Sequence, residues 1–235
     1  MNEYKRLEDT DLYENLFHYK ENRSNRRFFT TLLFVFLVLF ALVGSWRMRF
    51  GGVEVSGSSM ENTFRNGDYL LMQRYQDGDE LEYGSVIVVN IGDYAEVQAY
   101  NAEQRKKNPN WVDTTIIIKR LIAKEGDTVR CKNGVVEVRY AGQTSYTTLS
   151  EPYAKYSNPQ NYDFKTEYVV GEGEIFFLGD NREVSMDSRY NEGYSHLSGL
   201  YKQSDVYGIV PQWAIEHKET LEKIFFWRNK LERIR

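Results

Sequence analysis

The 235-residue chain has one cysteine, Cys131, and three histidines, His18, His196 and His217. A single cysteine excludes an intramolecular disulfide. With so few histidines most zinc-site spacings are excluded too, so no metal or other cofactor is expected. None of the histidines sits in a motif, and each reads as a surface residue rather than a catalytic base. Charge of one sign is also missing. Thirty basic and 34 acidic residues are interspersed to a net −4, so no basic face points to a nucleic-acid partner. Internal repeats and low-complexity tracts are absent. Hydrophobic residues at 41% and aromatics at 15% suffice for a packed interior, and the length fits one sizeable domain with accessory segments.

Residues 28–46 carry no charge and are rich in Leu, Phe and Val. Nineteen residues at about 1.5 Å rise span roughly 28 Å, close to the hydrocarbon thickness of a bilayer. Arg26 and Arg27 precede the run, Arg47 and Arg49 follow it, and Trp46 occupies an interfacial position. The long polar lead and the long apolar run favour an uncleaved transmembrane anchor over a cleavable signal. Lys20, Arg23, Arg26 and Arg27 outnumber Arg47, Arg49 and Arg65 by one. The positive-inside rule therefore leans towards an internal amino terminus at the cell membrane. Residues 1–27 mix six acidic and six basic residues, with Leu12, Tyr13, Leu16 and Phe17 at helical spacing. They are expected to form a cytoplasmic tail containing a short amphipathic helix.

After the anchor the period changes to short β-branched or aromatic runs: Asp68 to Arg74, Ser85 to Val89, Thr114 to Ile118 and Glu174 to Leu178. Gly- and Asn-containing turns bound them. Asn133-Gly134 between Thr128-Val129-Arg130-Cys131 and Val135-Val136-Glu137-Val138 signals a type I′ hairpin. Residues 101–111 and 150–164 read as exposed loops. Residues 215–235 return to helical spacing, with Leu221, Ile224, Phe225, Leu231 and Ile234 on one face among basic residues. This segment is expected to lie at a membrane interface, to pack on the domain, or to fray as a tail.

Three separated stretches carry the chemistry: Ser56-Gly57-Ser58-Ser59-Met60, Ile118-Lys119-Arg120, and Gly179-Asp180-Asn181-Arg182 running on to Ser185, Asp187, Ser188 and Arg189. Alone, each is ordinary. Serine and glycine before methionine is common loop composition, and a strand lysine normally lays its stem along the sheet with its charge in water. Together they supply a hydroxyl that needs a base and a lysine whose burial would lower its pKa enough to be one. Ser185 is placed to orient the Lys119 amine. Asp187 and Arg189 could pair and brace the turn, because an acid in direct contact with Lys119 would oppose base function.

These blocks resemble those of the bacterial type I signal peptidases, membrane-anchored Ser–Lys peptidases. Val55 to Thr63 is similar to the family's nucleophile box and Ile118-Lys119-Arg120-Leu121-Ile122 to its lysine box. Gly179-Asp180-Asn181-Arg182 through Arg189 is similar to its final box, and Gly208-Ile209-Val210-Pro211 closes the core. The resemblance implies a mainly antiparallel β catalytic domain over 47–214, an anchor over 28–46, and Ser59 as nucleophile with Lys119 as base. It implies removal of signal peptides from exported preproteins, with the bilayer as a second partner. Val55, Met60 and Ile118 would line shallow pockets for small side chains at −1 and −3.

Two departures stand out. Asn62 replaces the family's usual proline. Gly57 stands where some members have a serine that helps hold the oxyanion, which leaves that task to backbone N–H groups including that of Ser59. The alternative is a non-catalytic, membrane-anchored module that binds preproteins or other partners. Asn62 favours it; the joint presence of Ser59, Lys119, Ser185 and Asp187 opposes it.

Overall fold

The computed structural model describes residues 3–158, 163–164, 166–189 and 199–225. The chain divides into two compact units between Arg49 and Phe50. The first is a single helix, α1 (Glu3–Arg49). The helix expected in residues 1–27 is the first part of α1, which runs through Arg27 without a break. Its Asn25–Arg49 portion, with mean hydropathy 2.5, is long and apolar enough to cross a membrane. Phe36, Leu39 and Phe40 are each more than half exposed, the opposite of a core helix, whose apolar side chains are covered. The hydroxyls of Thr30 and Thr31 donate back to carbonyls of Arg26 and Arg27. Their polarity is thereby satisfied within the helix, as a hydrocarbon surrounding would require.

The second unit is mainly antiparallel β. In chain order it comprises β1 (Phe50–Glu54), β2 (Tyr69–Arg74), β3 (Val86–Asn90), α2 (Ala95–Lys107), β4 (Ile116–Lys124), β5 (Thr128–Lys132), β6 (Val135–Arg139) and β7 (Thr147–Thr148). There follow β8 (Tyr168–Val169), β9 (Glu174–Leu178), β10 (Tyr201–Lys202), β11 (Val206–Val210), α3 (Gln212–Glu216) and α4 (Lys218–Phe225). Seven strands form one sheet in the order β1-β2-β11-β3-β4-β9-β10, and four form a second in the order β7-β6-β5-β8.

The apolar runs are strands because both faces of the large sheet are covered. On β3, Ile87 and Val89 join one apolar cluster with Ile117, Leu121, Phe177 and Tyr201. Val86 and Val88 join another with Val55, Met60, Phe64, Leu70, Ile118 and Val210. A third cluster, built on Val129, Val136, Val138, Phe176 and Leu178, joins the two sheets. Such double burial produces continuous Val/Ile runs rather than alternation. The β5–β6 hairpin turns at Asn133 (φ 54°) and Gly134 (φ 75°), the conformation a type I′ turn demands.

Two expectations change. β4 is nine residues long rather than ending at Ile118, because Lys119 and Arg120 are buried inside it. The 101–111 stretch, expected as an exposed loop, falls largely in α2. Its Ala, Glu, Gln, Arg and Lys residues are good helix formers, but only Val97 and Asn101 are buried, so no apolar period announces it. The Asn101 side chain accepts from Thr114 N–H (2.9 Å) and Trp111 Nε1 (3.1 Å) and donates to Thr114 O (2.9 Å). It therefore ties the 108–114 connection back to the helix just before β4 begins.

At the carboxyl end, α4 places a half-buried Leu221 against the β2 side of the domain, while Ile224 stays exposed. Lys218 pairs with Asp68 at 2.6 Å. Leu231 and Ile234 lie outside the described residues, as does the side chain of Phe225. Replacing Asn101 by Ala removes three hydrogen bonds and should cost about 2 kcal/mol, measurable as a lowered midpoint in denaturant-induced unfolding.

Candidate active site

Ser59 sits in the long connection between β1 and β2. The base of that connection is closed by Val55 N–H to Asp68 O (2.9 Å) and Gly67 N–H to Val55 O (2.8 Å). Buried Met60 and Phe64 root it in the apolar core. Its tip coils tightly, with Glu61 N–H donating to Ser58 O and Phe64 N–H to Met60 O. Asn62 has φ 100°, a value closed to proline, whose ring fixes φ near −65°. A proline at position 62 would therefore need a different backbone path. Asparagine tolerates positive φ better than most residues, though at about 1 kcal/mol or more. Its Nδ2 donates to Tyr153 O at 3.3 Å.

Lys119 lies on β4 opposite Ile87 of β3 and is only 3% exposed. Its Nζ is 2.9 Å from Ser59 Oγ and 3.0 Å from Ile118 O. Burial, the largest influence, pulls its pKa down to about 8; Asp187 and Asp180 pull the other way, and the Arg189 charge adds to the lowering. At pH 7 about a tenth of the amine is then neutral and able to accept a proton. Among the described residues the Ser59 N–H donates to no acceptor. His217 lies exposed at the end of α3, and His196 lies outside the described residues.

The turn after β9 presses on the Ser59 loop. Asn181 N–H donates to Ser59 O at 3.0 Å and its side chain to Ser58 O at 3.2 Å. A Cβ on Gly179 would come within 2.6 Å of Ser59 O and 2.0 Å of Ser185 Oγ, so only glycine permits this approach. Asp187 accepts from Gly179 N–H at 2.9 Å and from Arg189 Nε at 2.7 Å. Burial raises its pKa, but Arg189 and the Gly179 N–H outweigh this and hold the carboxyl below its ordinary value. The Ser185 hydroxyl is buried and has no hydrogen bond of sound geometry among the described residues. It nevertheless lies close enough to Asp187 to favour that carboxylate. Val55, Met60 and Ile118 are all buried, in one shared cluster.

A network missed at the sequence level joins the three stretches. Asp180, fully buried, accepts from Arg120 Nε (2.8 Å) and Nη2 (2.7 Å) and from the Thr63 hydroxyl. Arg120 also donates to Gly84 O at 2.7 Å and stacks on the Tyr153 ring at 3.9 Å. The available signal was an arginine inside an apolar run, since a buried charge must be paired.

β9 pairs with β4 only from Arg120 onward. Residues 116–119 therefore have no strand partner on that side among the described residues. No group of three or more His, Cys, Asp or Glu side chains suited to a metal ion occurs among the described residues.

Two outcomes follow. Gly179→Ala should displace Ser59 and lower turnover of a cleavable peptide about a hundredfold, as read in a steady-state assay. Lys119→Met should unfold at a higher temperature than the parent at pH 7. The drop in pKa from 10.5 to about 8 means that burying the charged amine costs up to about 3 kcal/mol. That cost is fully present below pH 8 and shrinks towards pH 10.5, so the advantage should narrow at pH 10. A constant or absent difference would contradict the burial argument.

The family model described as signal peptidase, peptidase S26, matches residues 27–214. A probable signal peptidase I-1 of Synechocystis is 30% identical over 176 residues, covering 73% of this chain and 76% of that protein. Signal peptidase I of Streptococcus pneumoniae is 24% identical over 206 residues, covering 74% and 87%. Signal peptidase I P of Bacillus subtilis subsp. natto is 27% identical over 199 residues, covering 81% and 89%. The blocks holding Ser59, Lys119 and the 179–189 turn all fall inside the matched span, and the chain belongs to the signal peptidase family, peptidase S26.

Proposed function

We propose that the chain is a membrane-anchored endopeptidase that removes signal peptides from exported preproteins by a Ser59–Lys119 dyad. The observation that carries this reading is the 2.9 Å contact between Ser59 Oγ and a buried Lys119 Nζ. Neutral Lys119 takes the Ser59 proton as Oγ attacks the peptide carbonyl after a small −1 residue. The resulting ammonium protonates the departing amine. Lys119 then takes a proton from the water that hydrolyses the Ser59 acyl-enzyme. The unengaged Ser59 N–H serves the oxyanion.

Asp187 and Arg189 brace the turn, and Ser185, on the same turn, orients the Lys119 amine. The unpaired edge of β4 suits an extended peptide adding as a strand, with small −1 and −3 side chains resting over Val55, Met60 and Ile118. Residues 28–46 form the anchor and residues 1–27 a cytoplasmic tail. Residues 47–214 act on the other face of the cell membrane, followed by the basic helix or tail of 215–235. Sharing a bilayer with the preprotein's own apolar segment raises the effective concentration of substrate.

The test is cleavage of a peptide with alanine at −3 and −1 by detergent-solubilised protein. The parent should cut after the −1 alanine, with kcat/KM rising through pH about 8 and levelling above it. Ser59→Ala and Lys119→Ala should each lose on the order of a thousandfold or more with the fold retained. Full activity in either variant would rule out the dyad.

A further inference from the structure

The nucleophile loop is held from outside the blocks that identify the family. Residues 151–157 run beside the 180–182 backbone: Lys155 N–H donates to Asp180 O (2.8 Å) and Arg182 N–H to Lys155 O (2.9 Å), a parallel bridge between Lys155 and Asn181. A buried Glu151–Arg182 ion pair fixes one end of this segment, and hydrogen bonds from Ser157 to Glu183 fix the other. Two contacts then reach the loop. Lys155 Nζ pairs with Glu61 Oε2 at 2.7 Å, and Tyr153 O accepts from Asn62 Nδ2 at 3.3 Å. Glu61 also accepts from Asn181 Nδ2 at 3.3 Å, so strap, turn and loop meet at one carboxylate two residues from Ser59.

We propose that the 151–157 strap is a positioning device for the nucleophile, with Lys155, Glu61 and Asn62 as its positioning residues; this rests on the reading of Ser59 as the nucleophile. Asn62 holds φ 100°, a conformation that asparagine does not impose on itself, so the coil at 58–64 depends on outside contacts to stay in place. The strap supplies two of them, through Glu61 and Asn62, while Lys119 meets Ser59 from β4. Lys155 and Glu61 are 40% and 47% exposed, and an ion pair in that setting adds little to global stability. Its effect is on where Ser59 stands, to which turnover is steeply sensitive.

The experiment compares Lys155→Met, Lys155→Arg, Glu61→Gln and Asn62→Gly with the parent. The last keeps the positive φ while deleting the link to Tyr153. Steady-state cleavage, thermal unfolding and hydrogen exchange of the 57–64 amides are read in the full-length protein in detergent. The expected result for Lys155→Met and Glu61→Gln is a kcat about tenfold lower with KM changed less than twofold. Melting should be unchanged and loop exchange faster, and Lys155→Arg should restore most of the rate. Unchanged kcat, with or without faster exchange, overturns the proposal, as does a kcat loss that follows a fall in melting temperature. Exchange measured in the Ser59→Ala background reports the strap independently of catalysis. A failure of the dyad reading, seen as activity surviving Ser59→Ala, is thus distinguishable from failure of the strap.

Discussion

Everything at this site depends on keeping the Lys119 amine dry while carboxylates stand nearby. Burial lowers its pKa to about 8, and Asp187 and Asp180 work against that lowering. A bare carboxylate 4 Å from the amine would interact by about 4 kcal/mol at an effective dielectric of 20. That is as large as the effect of burial itself and would return the amine to its charged form. The structure avoids this by giving each acid its own arginine. Asp180 takes two N–H groups of Arg120, and Asp187 takes two of Arg189. The acids are needed to hold backbone in place, and the arginines keep their field from falling on the lysine undiminished.

The same pairs determine geometry. β4 carries Lys119 to Ser59 and, one residue on, Arg120 to Asp180 and Gly84 O. Successive residues of a strand point to opposite faces, so one strand addresses both the Ser59 loop and the turn that supports it. Thr63, donating to Asp180, links the loop to the same carboxylate. Buried ion pairs contribute little net stability, because desolvation offsets attraction; losing one partner costs about 3–5 kcal/mol. A network of this kind specifies one arrangement more than it strengthens the fold. Gly179 completes it by letting the turn approach Ser59 O closely.

Much of this was legible in the sequence, for identifiable reasons. The runs at 69–74, 86–90 and 174–178 became strands because β-branched and aromatic residues suit a sheet covered on both faces. Asn133-Gly134 turned where positive φ was required. Helix α2 was illegible because it buries only Val97 and Asn101; its stability comes from propensity and from the Asn101 links, which leave no apolar period. Helix α1 runs on through Arg27, because a shift from polar to apolar residues does not itself interrupt helical hydrogen bonding. The Arg120–Asp180 pair lay unread although each residue belonged to a quoted motif, since a one-dimensional pattern does not show which charges meet. Asn62 was visible as a departure, but its left-handed backbone was not.

The course of β9 connects the chemistry to the topology. β9 covers β4 from Lys124 back to Arg120 and stops at Leu178. Had it continued, it would have paired with residues 116–119 and left them no free edge. Unpaired strand edges invite adventitious association, and proteins normally cover or blunt them. This one lies next to Lys119, whose amine meets Ser59, and Ile116 is 47% exposed. Gly179-Asp180-Asn181 ends the strand, and the same turn holds Ser59 and Ser58 through Asn181. A single interruption in the sheet therefore opens a backbone edge suited to an extended chain and places a serine hydroxyl against a buried amine next to it. In the proposed reading, an edge without Ser59 and Lys119 would only bind, and that pair beside a fully paired strand would have no edge to present a peptide to it.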